Sequence, residues 1–213
     1  MRVISRTVGP FQENTYLVVD GVTARAVFID PGAEPDRLLS LLRDSGATLD
    51  AIWLTHAHLD HIGAIAGIRR VWPVPVHLHR DDLPLFQRAN VQAAVYGVPF
   101  EQPDPPDAWL GDGDRLTVGS VEFEVLHVPG HAPGHVMFHT EGAVLSGDLL
   151  FAGSIGRTDL PFSDPVAMDR SLSRIADLHE TTVVYPGHGP VTSVGDERAT
   201  NPFLKGGARV ARS

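Results

Sequence analysis

Seven residues, Thr55-His56-Ala57-His58-Leu59-Asp60-His61, place four potential metal donors within six positions. In an extended segment alternate side chains leave the same face, so His56 and His58 can reach one ion at roughly 2.0–2.1 Å. Asp60 and His61 fall where the chain turns toward a helix expected near Ile62, which aims them at a second position close by. Leu59, apolar between the donors, is expected to pack beneath them. Three further donors follow strand-like runs and are flanked by Gly or Pro, residues that let a backbone turn sharply and present a side chain. They are His131 in Pro129-Gly130-His131, Asp148 in Ser146-Gly147-Asp148 and His188 in Pro186-Gly187-His188-Gly189-Pro190. The chain has eleven His and no Cys, so a metal site must be built from imidazole and carboxylate, and disulfides are impossible.

The elements that must hold these donors can be read from pattern. Val3 to Val8, Thr15 to Val19 and Ala26 to Ile29 read as strands, the second and third joined by turn chemistry at Asp20-Gly21. Pro35, the spacing of Leu38, Leu39, Leu41 and Leu42, and Gly46 mark a helix with its start and stop. A buried strand, Ala51 to Leu54, delivers the His-rich segment, a helix spans Ile62 to Val71, and Val74 to Leu78 is a strand. Between Asp81 and Asp114 the prolines permit one short helix near Leu85 to Val95 and then a loop. Strands are expected again at 115–118, 121–128, 136–139 and 143–145. Asp164-Pro165 opens a helix with Met168, Leu172, Ile175 and Leu178 on one face, and Thr182 to Tyr185 is a last strand. Two β-rich halves, each with helices, predict two mixed sheets with helices outside, a four-layer α/β/β/α sandwich. With 213 residues and no linker or repeat, one domain over 1–205 is expected, followed by a frayed tail from Gly206 to Ser213.

Composition narrows the partners. A 43% hydrophobic and 20% charged chain buries a real core. The net charge of −9 argues against nucleic acid, which is bound chiefly by neutralising phosphates. No run approaches the roughly 20 apolar residues of a membrane span. The first fifteen residues, with Arg2, Arg6 and Glu13, carry no apolar stretch of signal-peptide length. A cytoplasmic protein acting on a small molecule is the expectation.

In these motifs the chain resembles the metallo-β-lactamase superfamily, and within it the glyoxalase II-like hydrolases, from about Val3 to Leu204. Gly147-Asp148-Leu149-Leu150-Phe151, Gly156-Arg157-Thr158-Asp159 and Glu197-Arg198-Ala199-Thr200-Asn201-Pro202-Phe203 extend the likeness. The resemblance implies the α/β/β/α fold and two divalent ions, with zinc first and iron or manganese as alternatives. His56, His58 and His131 would hold one ion, Asp60, His61 and His188 the other, and Asp148 would bridge both. Two ions sharing a water bring its pKa toward neutrality and polarise the carbonyl it attacks. Asp60 is then expected both to bind metal and to orient the attacking oxygen. A thiolate leaves without protonation, which favours a thioester such as S-D-lactoylglutathione over an amide. Arg157 would contact substrate, or be pinned by Asp159. The longer glyoxalase II enzymes have a C-terminal helical extension that supplies basic residues for glutathione, and here the sequence departs from them, with only Lys205, Arg209 and Arg212 after Phe203. A different reaction class, a mononuclear iron persulfide dioxygenase using His56, His131 and Asp148, resembles the same residues. His135 is a candidate partner for a metal ligand, whereas His77 and His79 are expected to be hydrogen-bonded structural residues.

Overall fold

The computed structural model describes residues 1–205, so the tail expected to fray from Gly206 lies outside the described residues. By internal contacts the chain divides into two compact units. One comprises Met1–Leu110 and Leu116–Glu122, the other Gly111–Arg115 and the described chain from Phe123 onward.

The first unit begins with β1 (Arg2–Val8), β2 (Glu13–Val19) and β3 (Arg25–Ile29), each antiparallel to the next. Every residue of β2 is buried, whereas β1 is largely exposed, as befits an edge strand. Helix α1 (Pro35–Ser45) follows, with Leu38, Leu39, Leu41 and Leu42 buried and Gly46 in the left-handed region at its end. Strand β4 (Thr48–Trp53) runs parallel to β3. The helix expected over 62–71 is in fact two, α2 (Leu59–Ile62) and α3 (Ile65–Val71). The break falls at Gly63, whose Cα lies so close to the Gly32 carbonyl that any Cβ would overlap it. Strand β5 (Val76–His79) and a 3₁₀ turn (Arg80–Asp82) lead into α4 (Leu83–Gln87) and α5 (Ala89–Tyr96), a pair interrupted at Arg88 where one helix was expected. The supposed loop after them contains β6 (Ala108–Leu110), parallel to β5. The resulting six-stranded sheet has the order β1-β2-β3-β4-β5-β6. It is antiparallel at its start and parallel from β3 on, with the ends of the parallel strands carrying the polar loops.

The second sheet is built from β7 (Arg115–Val118), β8 (Val121–His127), β9 (Val136–Thr140), β10 (Ala143–Gly147), β13 (Val183–Pro186) and β14 (Thr192–Ser193), in the order β14-β13-β10-β9-β8-β7. Strands β11 (Leu150–Phe151) and β12 (Ser154–Ile155) form a small separate ribbon. Helix α6 (Pro165–Ala176) starts where Asp164 accepts hydrogen bonds from the Val166 and Ala167 N–H groups, at 2.8 and 3.1 Å. Its Met168, Leu172 and Ile175 join Leu126, Met137, Val144 and Val184 in the core of this unit. Leu178 lies beyond the end of the helix yet still packs against that cluster. Helix α7 (Val194–Thr200) closes the described chain. Both sheets are mixed and accompanied by helices, the α/β architecture the sequence predicts.

Candidate metal centre

The His-rich segment leaves the buried end of β4 and stays extended through His58, after which α2 takes up Asp60 and His61. The four donors therefore divide between strand-like and helical backbone as their spacing predicts. His56 and His61 are fully buried and His58 nearly so. The His56 and His61 rings lie 4.0 Å apart between centroids, and His56 and His58 meet edge-on at 4.8 Å.

What orients two of these rings is a carboxylate absent from the sequence-based set, Asp30. Its Oδ1 accepts the Thr55 N–H at 2.7 Å, and its Oδ2 accepts both the Thr55 hydroxyl at 2.6 Å and His61 Nδ1 at 3.0 Å. A carboxylate only accepts, so the His61 proton belongs on Nδ1 and the Nε2 lone pair is directed elsewhere. The Thr55 hydroxyl has its hydrogen committed to Asp30, so its oxygen accepts from His56 Nδ1, 3.0 Å away. His56 is thereby fixed in the same tautomer. Asp30 itself has φ 50°, a left-handed conformation that Asp tolerates better than most residues. Asp82, fully buried, accepts the Ala57 N–H at 2.8 Å and so holds the loop between His56 and His58.

Close packing explains the glycine at position 32. A Cβ there would overlap the Asp60 carbonyl and lie 2.5 Å from Glu13 Oε2, so the turn after β3 can seat against α2 only without a side chain. Glu13, another residue the sequence reading did not single out, accepts the Thr15 hydroxyl at 2.9 Å, while its Oε1 is buried without a hydrogen bond. Burial raises its carboxyl well above the ordinary range, against the opposing pull of His61.

In the second unit the three donors come from three different strand ends. Asp148 Oδ2 lies 3.5 Å from His131 Nε2 and 3.5 Å from His188 Nε2. Two ligands at 2.0–2.1 Å from one tetrahedral ion stand about 3.3 Å apart, so this spacing suits donors converging on metal. His131 Nδ1 donates to the backbone carbonyl of Arg157 at 2.8 Å, which again directs Nε2 toward Asp148. The Asp148 N–H donates to His135 Nε2 at 3.0 Å, so His135 does act as a partner to a candidate ligand, through the main chain. Gly156 permits this packing, since a Cβ would overlap the Asp148 carbonyl and lie 3.1 Å from His131 Nδ1. The Phe151 ring meets His188 edge-on at 5.8 Å.

Arg157 is brought to this cluster by its backbone carbonyl, while its side chain is two-thirds exposed and paired with Asp159 at 2.9 and 3.0 Å. The pairing holds Asp159 below the usual carboxylate range. Other His have structural surroundings. His79 Nδ1 accepts the Asp81 N–H, His127 Nε2 bonds the Pro133 carbonyl, and burial lowers the pKa of His77 and His139. Buried imidazoles held in the Nδ1–H tautomer, together with carboxylates, form a donor set of the type that binds zinc, iron or manganese.

Comparison with known proteins agrees with this chemistry. The family model described as the metallo-beta-lactamase superfamily matches residues 8–188. The hydroxyacylglutathione hydrolase GloC of Haemophilus influenzae is 36% identical over 199 residues, covering 91% of this chain and 93% of that protein. The structure of TTHA1623 in a di-iron-bound form superposes with a TM-score of 0.89 at 49% identity, covering 95% of this chain and 100% of that one. BLEG-1 B3 metallo-beta-lactamase gives the same TM-score at 38% identity, covering 95% and 99%. With its metal-type donor clusters, its two mixed sheets and this match over most of its length, the chain belongs to the metallo-β-lactamase superfamily.

Proposed function

We propose that this protein is a dinuclear metal-dependent hydrolase of small thioesters, with S-D-lactoylglutathione the first substrate to test. In this reading His56, His58 and His131 would hold one ion, Asp60, His61 and His188 would hold the other, and Asp148 would serve both. The observation that supports this reading is the anchoring of His56, His61 and His131 through Nδ1, which orients the three rings as metal-binding imidazoles are oriented. Zinc suits the donors, and the di-iron-bound relative makes iron the alternative.

The chemistry that two divalent ions would supply there is a hydroxide-like nucleophile near neutral pH and polarisation of the carbonyl under attack. Asp60 accepts a hydrogen bond from the attacking water and fixes its direction. Water adds its oxygen to the carbonyl carbon, the C–S bond breaks, and the products are a carboxylic acid and a thiol. A thiolate departs without a proton donor, whereas the amine of a β-lactam calls for one. Arg157 contacts a substrate carboxylate by exchanging its exposed partner Asp159, a pair worth little in water. Among the described residues no helix is long and apolar enough to cross a membrane; action on a small molecule in the cytoplasm is part of the proposal.

Purified protein is expected to hold close to two metals per chain and to hydrolyse S-D-lactoylglutathione faster than a β-lactam. Asp60→Ala and His58→Ala abolish turnover while circular dichroism stays unchanged. Background thioester hydrolysis with both metals bound overturns the substrate. One iron per chain with thiol-dependent oxygen uptake overturns the hydrolase itself, in favour of a persulfide dioxygenase using His56, His131 and Asp148.

A further inference from the structure

Within the first unit a cavity of about 590 Å³ opens beside Asp60. Its walls are the β1–β2 turn, with Pro10 and Phe11, and the segment after α5, with Val98 and Phe100, while Ala33 and Leu59 also line it. The Phe11 ring meets Tyr96 edge-on at 5.3 Å, tying the β1–β2 turn to the end of α5. Two carboxylates, Asp60 and Glu34, border the space, and no Lys or Arg is among its lining residues. Glu34 is already engaged, by the Gly9 N–H at 2.9 Å and by Arg37 at 3.0 Å, and these bonds hold its carboxyl below the ordinary range.

A volume in the range of small-molecule pockets, apolar walls and a carboxylate border select against anionic groups and for uncharged hydrocarbon. An anion between the two walls, away from the Asp60 side, would give up its hydration, meet no Lys or Arg among the lining residues and face Glu34. We propose that this cavity takes the acyl half of the thioester and that the preferred acyl group is uncharged and apolar, with Phe11, Val98 and Phe100 setting its size. This deepens the thioesterase reading and rests on it, because Asp60 lines the cavity and, in that reading, also directs the attacking water. The reacting carbonyl then sits at the cavity's Asp60 side while the acyl chain extends between the two walls.

The test uses the metal-loaded protein and thioesters of one neutral thiol, N-acetylcysteamine, carrying acetyl, butanoyl, hexanoyl or succinyl groups. Full burial of each added methylene raises kcat/KM by up to about fourfold, and succinyl falls at least about tenfold below butanoyl, since an unpaired carboxylate must be desolvated. Phe100→Asp flattens the chain-length series; if that variant does not fold, Ala33→Leu, which fills the cavity, caps the series at a shorter chain. Independently of turnover, hexanamide is titrated into ¹⁵N-labelled protein, and the amide signals of Gly9, Ala33 and Phe100 are expected to move. A flat series with no shift at those amides, or succinyl turned over as well as butanoyl, overturns the cavity assignment and leaves the thioesterase reading standing. No hydrolysis of any thioester, with the amide shifts present, overturns the thioesterase reading and leaves apolar binding in the cavity.

Discussion

Asp30→Asn is nearly isosteric and removes one acceptor from a buried site that uses both. Wild-type Oδ1 takes the Thr55 N–H, and Oδ2 takes the Thr55 hydroxyl and His61 Nδ1. If the Asn NH₂ replaces Oδ1, it faces the Thr55 N–H donor to donor. If it replaces Oδ2, His61 can satisfy it only by moving its own proton to Nε2, the nitrogen assigned to metal. A buried donor left without an acceptor costs about 1–3 kcal/mol, and loss of such an orienting partner typically weakens metal affinity about 10–100-fold. The loss should fall mainly on the ion proposed for Asp60, His61 and His188, since His61 bonds Asp30 directly and His56 only through Thr55. Competition against a chromophoric chelator, resolving two binding steps, measures it, and thermal unfolding of the metal-free proteins separates it from a folding defect. Wild-type affinity at both steps in a folded Asp30→Asn protein would refute the tautomer argument.

Gly156→Ala forces a methyl group into the Asp148 carbonyl and against His131 Nδ1, so urea unfolding should reveal a loss of about 1–3 kcal/mol; an unchanged midpoint would contradict the packing described. Asp20 accepts from the Val22 and Ser120 N–H groups and the Thr23 and Ser120 hydroxyls, at 2.7 to 3.0 Å, and these bonds hold its carboxyl far below the ordinary range. A depressed carboxyl lends stability that is complete above the unfolded-state pKa of about 3.9 and is lost as pH falls toward the folded value. Asp20→Asn should therefore trail the wild type by a constant margin near neutrality, and that margin should shrink below about pH 4; a margin unaltered on acidification, in denaturant midpoints, would argue against this reading.

Elements whose cause is local were legible in the sequence. Helix α1 announces itself by Pro35, the leucine spacing and Gly46, and α6 by Asp164 and Pro165. The His-x-His-x-Asp-His run is legible for the same reason, since four donors in six residues need no tertiary information. What escaped depends on distant partners. Strand β6 is three residues long and exists because β5 lies beside it, and the break between α2 and α3 falls where the Ala64 N–H donates to the Pro31 carbonyl, some thirty residues away. Asp30 reads as a strand stop until Thr55 and His61 are seen bonding to it. The acceptor that orients His131 is a backbone carbonyl, which no residue type reveals.

The last of these contrasts bears on how such a site can change over evolutionary time. His131 is aligned by the main chain at Arg157, so any amino acid whose backbone follows the same path can stand at 157 without turning the imidazole. That position can explore new side chains while the imidazole keeps its place. His56 and His61 are aligned through the side chain of Asp30, and drift there disturbs both rings at once. One molecule thus carries a permissive anchor and a restrictive one, and innovation has an open route through the first.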